Sequence, residues 1–345
     1  MAKISTVHNY SKDPDKMMAK VLGPSYRNYR KRWEAAKKLK IPGAYPIHID
    51  FELRFGCTMK CPQCILQIDP KEFGSSHPYY AGNRGKRIEF KKFKEIIDEG
   101  VKHGLCSITL NVNNEPLLTP DIARYIRYAR KAGIIDVILL TNASLLTREK
   151  AEEIIDSGLT KIYFSLDAIN KDTYQVVRKG GDFDKVMGNI DHFLSLKKKK
   201  RLFLPVTRVS FVKSRMNEKE ADKFMKYWKP RVDFVSTQSF INPAYGYSNY
   251  ETLQDRYYIR NKDLKSPGAC VQPYQRLTIY NDGSVHPCCL WYGVMLDMGN
   301  IHSQSVYSIW NSTKMKKLRK DINSRNSVNV PDACKICRRT AFGSE

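Results

Sequence analysis

From about residue 46 onward, short apolar runs alternate with longer stretches in which apolar residues recur every three or four positions. The short runs, rich in β-branched and aromatic residues, predict strands at His48–Arg54, Cys106–Val112, Asp136–Thr141, Lys161–Leu166, Leu202–Val212 and Val232–Thr237. The helical period between them predicts Glu89–His103, Thr119–Ala132, Thr147–Ser157, Lys185–Lys197 and Asn217–Trp228. Thr147 stands as an N-cap, and Gly104, Gly133 and Gly158 follow apolar helix ends as C-caps. Strands alternating with helices pair in parallel through right-handed crossovers. The fold class is therefore α/β, a partial (β/α)6 TIM-like barrel, since a closed barrel needs eight units. Loops leaving the C-terminal ends of the strands then carry the site.

The flanks differ. Residues 1–45 are basic and predict a helix from Tyr26, with Tyr29, Trp33 and Ala36 on one face, packed on the outside of the core. Pro42-Gly43 and Pro46 end it. Past residue 240 the pattern breaks into a polar, Tyr-rich linker or substrate-facing loop over about 241–265. Tyr274–Tyr280 and Ser284–Pro287 around Asn281-Asp282-Gly283 then predict a hairpin, and Val306–Ile322 a basic helix. The expected division is an N-terminal extension (1–45), a core barrel (46–240), and a linker with a small C-terminal domain (241–345).

Composition narrows the class. With 345 residues, 42% hydrophobic and 27% charged, the chain reads as globular, and no apolar run approaches the ~20 residues of a membrane span. The N-terminus lacks an apolar signal core, which predicts a cytoplasmic protein. Nine cysteines in that setting point to metal, not disulfides. The net charge of +24 reads either as a Lys-rich solubilising surface or as attraction to an acidic partner such as a phosphorylated metabolite or RNA. The run Lys197–Arg201 reads as a solvated helix end.

The chemistry concentrates after the first strand, where Cys57-x3-Cys61-x2-Cys64 sets three thiols on one loop. Three thiolates hold three corners of an iron–sulfur cube and leave one iron open. A zinc site would want a fourth ligand nearby, such as His77. This spacing, placed there, resembles the radical S-adenosylmethionine (SAM) superfamily. The resemblance implies a 4Fe-4S cluster whose open iron chelates S-adenosylmethionine, reductive cleavage to a 5′-deoxyadenosyl radical, and hydrogen abstraction from a substrate. It implies a reductant such as flavodoxin or ferredoxin as partner.

Further stretches carry the resemblance. Asn113-Asn114-Glu115-Pro116 stands where the family has Gly-Gly-Glu-Pro, which meets the cofactor's ammonium. Ser165-Leu-Asp167 resembles the family's Ser-Ile-Asp near the ribose, and Thr141-Asn142 its Thr-Asn-Gly. Tyr174-x3-Arg178-x-Gly180-Gly181 resembles an element whose arginine pairs with the cofactor's carboxylate. Three departures stand out: Gln63 where an aromatic residue lies near the adenine, Asn113 and Asn114 for glycines, and Ala143 for glycine.

The C-terminal part resembles the SPASM auxiliary-cluster domain in its shortened twitch form. Cys270, Cys288, Cys334 and Cys337 would then close a second, auxiliary 4Fe-4S cluster, with Cys289 a spare neighbour; a four-cysteine zinc site is the alternative. A fully ligated cluster carries electrons, so the expected reaction is oxidation or epimerisation of a small sugar-like or anionic metabolite. A peptide-modifying maturase is the second reading and an RNA-modifying iron–sulfur protein the third. Candidate proton acceptors are Asp69, His77, Tyr79, Tyr80, Tyr245 and Tyr247.

Overall fold

The computed structural model describes residues 9–10, 13–38, 42–67, 85–242, 250–257, 270–324 and 327–342. Its strands are β1 (Asn9–Tyr10), β2 (His48–Phe51), β3 (Ser107–Thr109), β4 (Asp136–Thr141), β5 (Lys161–Ser165), β6 (Val206–Lys213), β7 (Phe234–Ser239), β8 (Arg276–Ile279), β9 (Ser284–His286) and β10 (Gly299–Asn300). They form one sheet in the order β1-β7-β6-β5-β4-β3-β2-β8-β9-β10. Strands β2 to β7 are parallel and consecutive, and the sheet does not close, which makes a partial barrel. The C-terminal hairpin does not stand apart: β8 pairs in parallel with β2, His48 opposite Arg276. That pairing spans most of the chain and leaves no local periodic signal.

Strand alternation gives the barrel two unlike faces. Phe51, Phe164 and Phe211 point outward and meet Phe93, Phe193 and Phe224 of the surrounding helices at ring-centroid distances of 5.1, 5.7 and 4.8 Å. Each such burial contributes about 1.5–3 kcal/mol. The inward face is polar: His48, Asp50 and Glu52 from β2 and its continuation, Lys161, Tyr163 and Ser165 from β5, Arg208 and Ser210 from β6. Buried charge there is paired, as in Lys161 Nζ to Asp136 Oδ2 at 2.6 Å, because an unpaired ion would not survive desolvation.

Two expectations about the flanks are corrected. The N-terminal helix runs over Pro14–Ala36, not from Tyr26, passing a kink at Gly23 (φ 63°, ψ −144°) and Pro24. It packs on the outside of the core, over the N-terminal ends of the strands. Ser107 Oγ donates to Tyr29 Oη (3.1 Å), Lys161 Nζ to Tyr26 Oη (3.2 Å), and Trp33 meets His48 edge-on. A polar barrel floor needs a cover that is apolar in body and hydrogen-bonding at its tip, which tyrosine supplies. The basic helix at 306–322 is two, Val306–Trp310 and Thr313–Ile322, because Ser312 caps the second by accepting from Met315 N (3.2 Å). Helices Lys171–Val177, Tyr250–Tyr257, Gln272–Gln275 and Asp332–Phe342 add to those the sequence pattern predicts. Among the described residues no helix is long and apolar enough to cross a membrane.

Candidate functional site

The cysteine loop leaves the C-terminal end of β2 and is strapped to the loop after helix Lys171–Val177. Lys60 N donates to Lys179 O at 2.7 Å. At Gly181 a Cβ would stand 2.8 Å from Met59 Cε and 2.9 Å from Tyr174 Cε1, so a larger residue would have to push the Met59 and Tyr174 side chains aside. Burial pushes the thiols of Cys57 and Cys61 up, and that of Cys64 to about 12. Bare, they stay protonated at neutral pH; a bound cation would ionise them, releasing protons.

The other predicted residues ring this loop. Asn142 Nδ2 lies 3.5 Å from Cys57 Sγ and 3.0 Å from Thr58 Oγ1. Ala143 takes the left-handed backbone (φ 61°) that glycine would favour, which places the Asn142 turn as the departure anticipated. Glu115 is buried and accepts from Thr141 Oγ1 (2.6 Å), Asn142 N (2.8 Å) and Leu117 N (3.1 Å). Burial outweighs these donors and pushes its carboxyl up to about 6. Asn114 fills no binding space: Nδ2 donates to Arg54 O (2.8 Å) and Oδ1 accepts from Val112 N (3.1 Å), so its side chain is part of the wall. Asn113 N donates to Glu52 Oε2 at 3.1 Å. Ser165 ends β5 on the inward face, opposite Ser210.

Arg178 is not free to give its whole fork to a ligand. Nη2 is paired with Asp167 Oδ2 at 2.5 Å, and Nη1 stands 4.0 Å from Cys61 Sγ. Among the described residues its buried Nε has no hydrogen-bond partner. Gln63 Nε2 donates to Val177 O (2.8 Å), which fixes the amide and leaves Oε1 a buried acceptor without a partner among the described residues. An orphaned donor, an orphaned acceptor and a carboxylate raised by burial therefore border the cysteine loop. S-adenosylmethionine offers a carboxylate, an amino group on adenine and an ammonium, so the residues fit it. Glu115 has about one of its four lone-pair sites left for that ammonium.

The second thiol set also comes together. Cys270, Cys288, Cys334 and Cys337 line one cavity of about 80 Å³ with apolar walls that include Pro273, Leu290 and Ile322. At Gly293 a Cβ would lie 2.5 Å from Cys288 Sγ, so the wall there is glycine by necessity. Cys289 does not line the cavity; its Sγ is 3.4 Å from Arg276 Nη1. Among the described residues no three His, Cys, Asp or Glu side chains converge on one metal ion. Four thiols could each take a separate corner of an iron–sulfur cube. Cys64 and Cys337 pack against the same apolar cluster, built from Ile65, Phe240, Trp291, Tyr292 and neighbours.

Asp69, His77, Tyr79, Tyr80, Tyr245 and Tyr247 lie outside the described residues. Sequence reasoning missed the partners Asp167 (for Arg178) and Asp50 (for Arg276, Nη1 to Oδ2 3.2 Å). The alternation His48-x-Asp50-x-Glu52 in an otherwise apolar first strand was the available signal.

Comparison with known proteins agrees with this geometry. The family model described as "Radical SAM superfamily" matches residues 52–227, and SPASM, an "iron-sulfur cluster-binding domain", matches 270–338. The antilisterial bacteriocin subtilosin biosynthesis protein AlbA of Bacillus subtilis is 24% identical over 294 residues, 79% of this chain and 61% of AlbA. GTP 3',8-cyclase of Clostridium botulinum is 30% identical over 175 residues, 50% of each chain. The chain thus spans between half and about three fifths of these curated relatives. Among solved structures, Streptococcus suis SuiB bound to S-adenosylmethionine is similar with a TM-score of 0.62 at 16% identity, over 91% of this chain and 76% of SuiB. That likeness supports the fold.

Proposed function

Given that the chain belongs to the radical SAM superfamily, and so uses 4Fe-4S clusters and S-adenosylmethionine, we propose that it dehydrogenates its substrate, with the second thiol set as electron acceptor. Cys57, Cys61 and Cys64 hold the cluster with the open iron. Glu115 takes the cofactor's ammonium and is stabilised as a carboxylate by it. Arg178, held by Asp167, turns its remaining N–H edge to the cofactor's carboxylate. Gln63 Oε1 accepts from the adenine amino group, Asn142 and Ser165 face the ribose, and Asn113 with Asn114 forms the wall. When bound, the cluster and cofactor supply a 5′-deoxyadenosyl radical that removes one hydrogen atom from a substrate carbon.

Residues 46–240 are the core that carries this site, closed below by the Pro14–Ala36 helix of the N-terminal extension (1–45), and 241–345 the linker and auxiliary domain. Cys270, Cys288, Cys334 and Cys337 would hold the auxiliary cluster, which would supply an acceptor for the one electron that a dehydrogenation must remove along with a proton. The observation that supports this reading is that one cysteine of each thiol set, Cys64 and Cys337, packs against the same apolar cluster. The polar inner face, with Tyr163, Ser165 and Arg208, supports a small sugar-like or anionic substrate. A peptide substrate is the second reading, favoured by AlbA, named for bacteriocin biosynthesis, and by SuiB, whose structure with precursor peptide SuiA has the same fold. A flavodoxin- or ferredoxin-like reductant feeds the first cluster.

The test is anaerobic turnover with deuterated sugar phosphates, aminocyclitols and short peptides. The true class transfers deuterium into 5′-deoxyadenosine and yields a product two hydrogens lighter. A product at unchanged oxidation level refutes dehydrogenation.

A further inference from the structure

Cys289 follows a thiol of the auxiliary set in sequence but turns from the thiol-lined cavity toward the barrel. There its Sγ meets Arg276 Nη1 at 3.4 Å. Arg276 is the first residue of β8 and faces inward, where its guanidinium lies above the Trp33 ring and its Nη1 is 3.2 Å from Asp50 Oδ2. Asp50 Oδ1 is in turn 2.9 Å from His48 Nε2, and His48 Nδ1 2.7 Å from Ser107 Oγ. Burial pushes His48 down, while Arg276 and His48 hold the Asp50 carboxyl below its usual range against burial. The unit is thus a fixed dipole: Asp50 the negative end, Arg276 the positive end, and the positive end set against Cys289, the residue next to Cys288.

We infer that the Asp50–Arg276 pair is a positioning device that sets the reduction potential of the auxiliary cluster. This rests on the proposal that Cys270, Cys288, Cys334 and Cys337 hold that cluster. One electron entering a thiolate-ligated cluster adds one negative charge. A guanidinium held on Cys289, the residue next to the ligand Cys288, in a buried and weakly screening setting, stabilises the reduced form. Asp50 limits that effect and holds the guanidinium in place.

The two partners act with opposite sign. Arg276→Gln removes the positive end and leaves Asp50 uncompensated, so the cluster becomes harder to reduce. Asp50→Asn removes the opposing charge at nearly constant shape, so it becomes easier to reduce. A residue that merely packed the barrel would shift both variants in one direction or neither.

The experiment uses the full chain carrying Cys57→Ala, Cys61→Ala and Cys64→Ala, so that only the auxiliary cluster remains, with the potential followed by EPR-monitored titration. About four irons per chain are expected. Arg276→Gln should lower the reduction equilibrium at least tenfold, which is 59 mV for a one-electron couple, and Asp50→Asn should raise it. Arg276→Lys, which keeps the charge, should stay nearer the parent than Arg276→Gln. Iron retained with unchanged potentials, or with both shifts of the same sign, overturns the inference alone. No iron in the parent overturns the auxiliary-cluster reading, and the inference with it.

Discussion

Glu115 is the most informative residue to perturb. Its carboxyl, ordinarily near 4.5, is pushed up to about 6 by complete burial, despite three donors at 2.6–3.1 Å. At 1.36 kcal/mol per pKa unit, ionising it in the folded chain costs about 2 kcal/mol. The sign is that of an acid raised on folding. Below pH 4.5 the group is protonated in both states and costs nothing. The cost grows as pH rises toward 6 and is complete above it. A bound ammonium offsets that cost, so S-adenosylmethionine binding must strengthen over the same window. At pH 5 about a tenth of the groups are ionised, which predicts roughly tenfold weaker binding than at pH 7. Glu115→Gln removes the charge, should weaken binding by about 1.5–3 kcal/mol, and should flatten the pH dependence. Anaerobic equilibrium dialysis of the cofactor between pH 5 and 7 reads both effects. A flat profile in the unmodified chain, or a sloped one in Glu115→Gln, would refute the assignment of Glu115 to the ammonium.

Further outcomes follow from the same contacts. Gly293→Ala puts a methyl 2.5 Å from Cys288 Sγ, so iron should fall from about eight per chain toward four while the fold survives; unchanged iron and sulfide would show that Cys288 can move. Lys161→Met leaves Asp136 buried without its partner and should cost about 3–5 kcal/mol in denaturant unfolding. A loss below 1 kcal/mol would mean that water reaches the barrel floor. Arg201 follows the last residue of the Phe183–Lys199 helix cap in a left-handed conformation (φ 54°) and is exposed, so Arg201→Gly should gain about 1 kcal/mol in the same measurement. A loss of stability would show that the arginine side chain contributes there.

Much of the core was legible because its signals are local. The six barrel strands and five helices follow from periods of two and about 3.6, and the structure shifts their ends by a few residues. The N-terminal helix starts before Tyr26, where Asp13 caps it by accepting from Asp15 N and Lys16 N. What stayed hidden depends on distant partners. Nothing near residue 276 announces that β8 lies beside β2, or that Arg276 finds Asp50. Arg178 was read as a free ligand for a carboxylate, yet Asp167, within a motif already singled out, holds part of its fork. Asn113 and Asn114 looked like obstacles, but the Asn114 side chain turns into the wall and bonds Arg54 O and Val112 N. Gln63 looked like a bare departure until its amide was found fixed on Val177 O.

The decisive measurement is 5′-deoxyadenosine formation by the anaerobically reconstituted chain with S-adenosylmethionine and a strong reductant, beside the Cys61→Ala variant. The open-iron site on the Cys57–Cys64 loop predicts release of 5′-deoxyadenosine and methionine by the unmodified chain and none above background by the variant. Equal release by both, or none by a chain that holds its full iron, would contradict it.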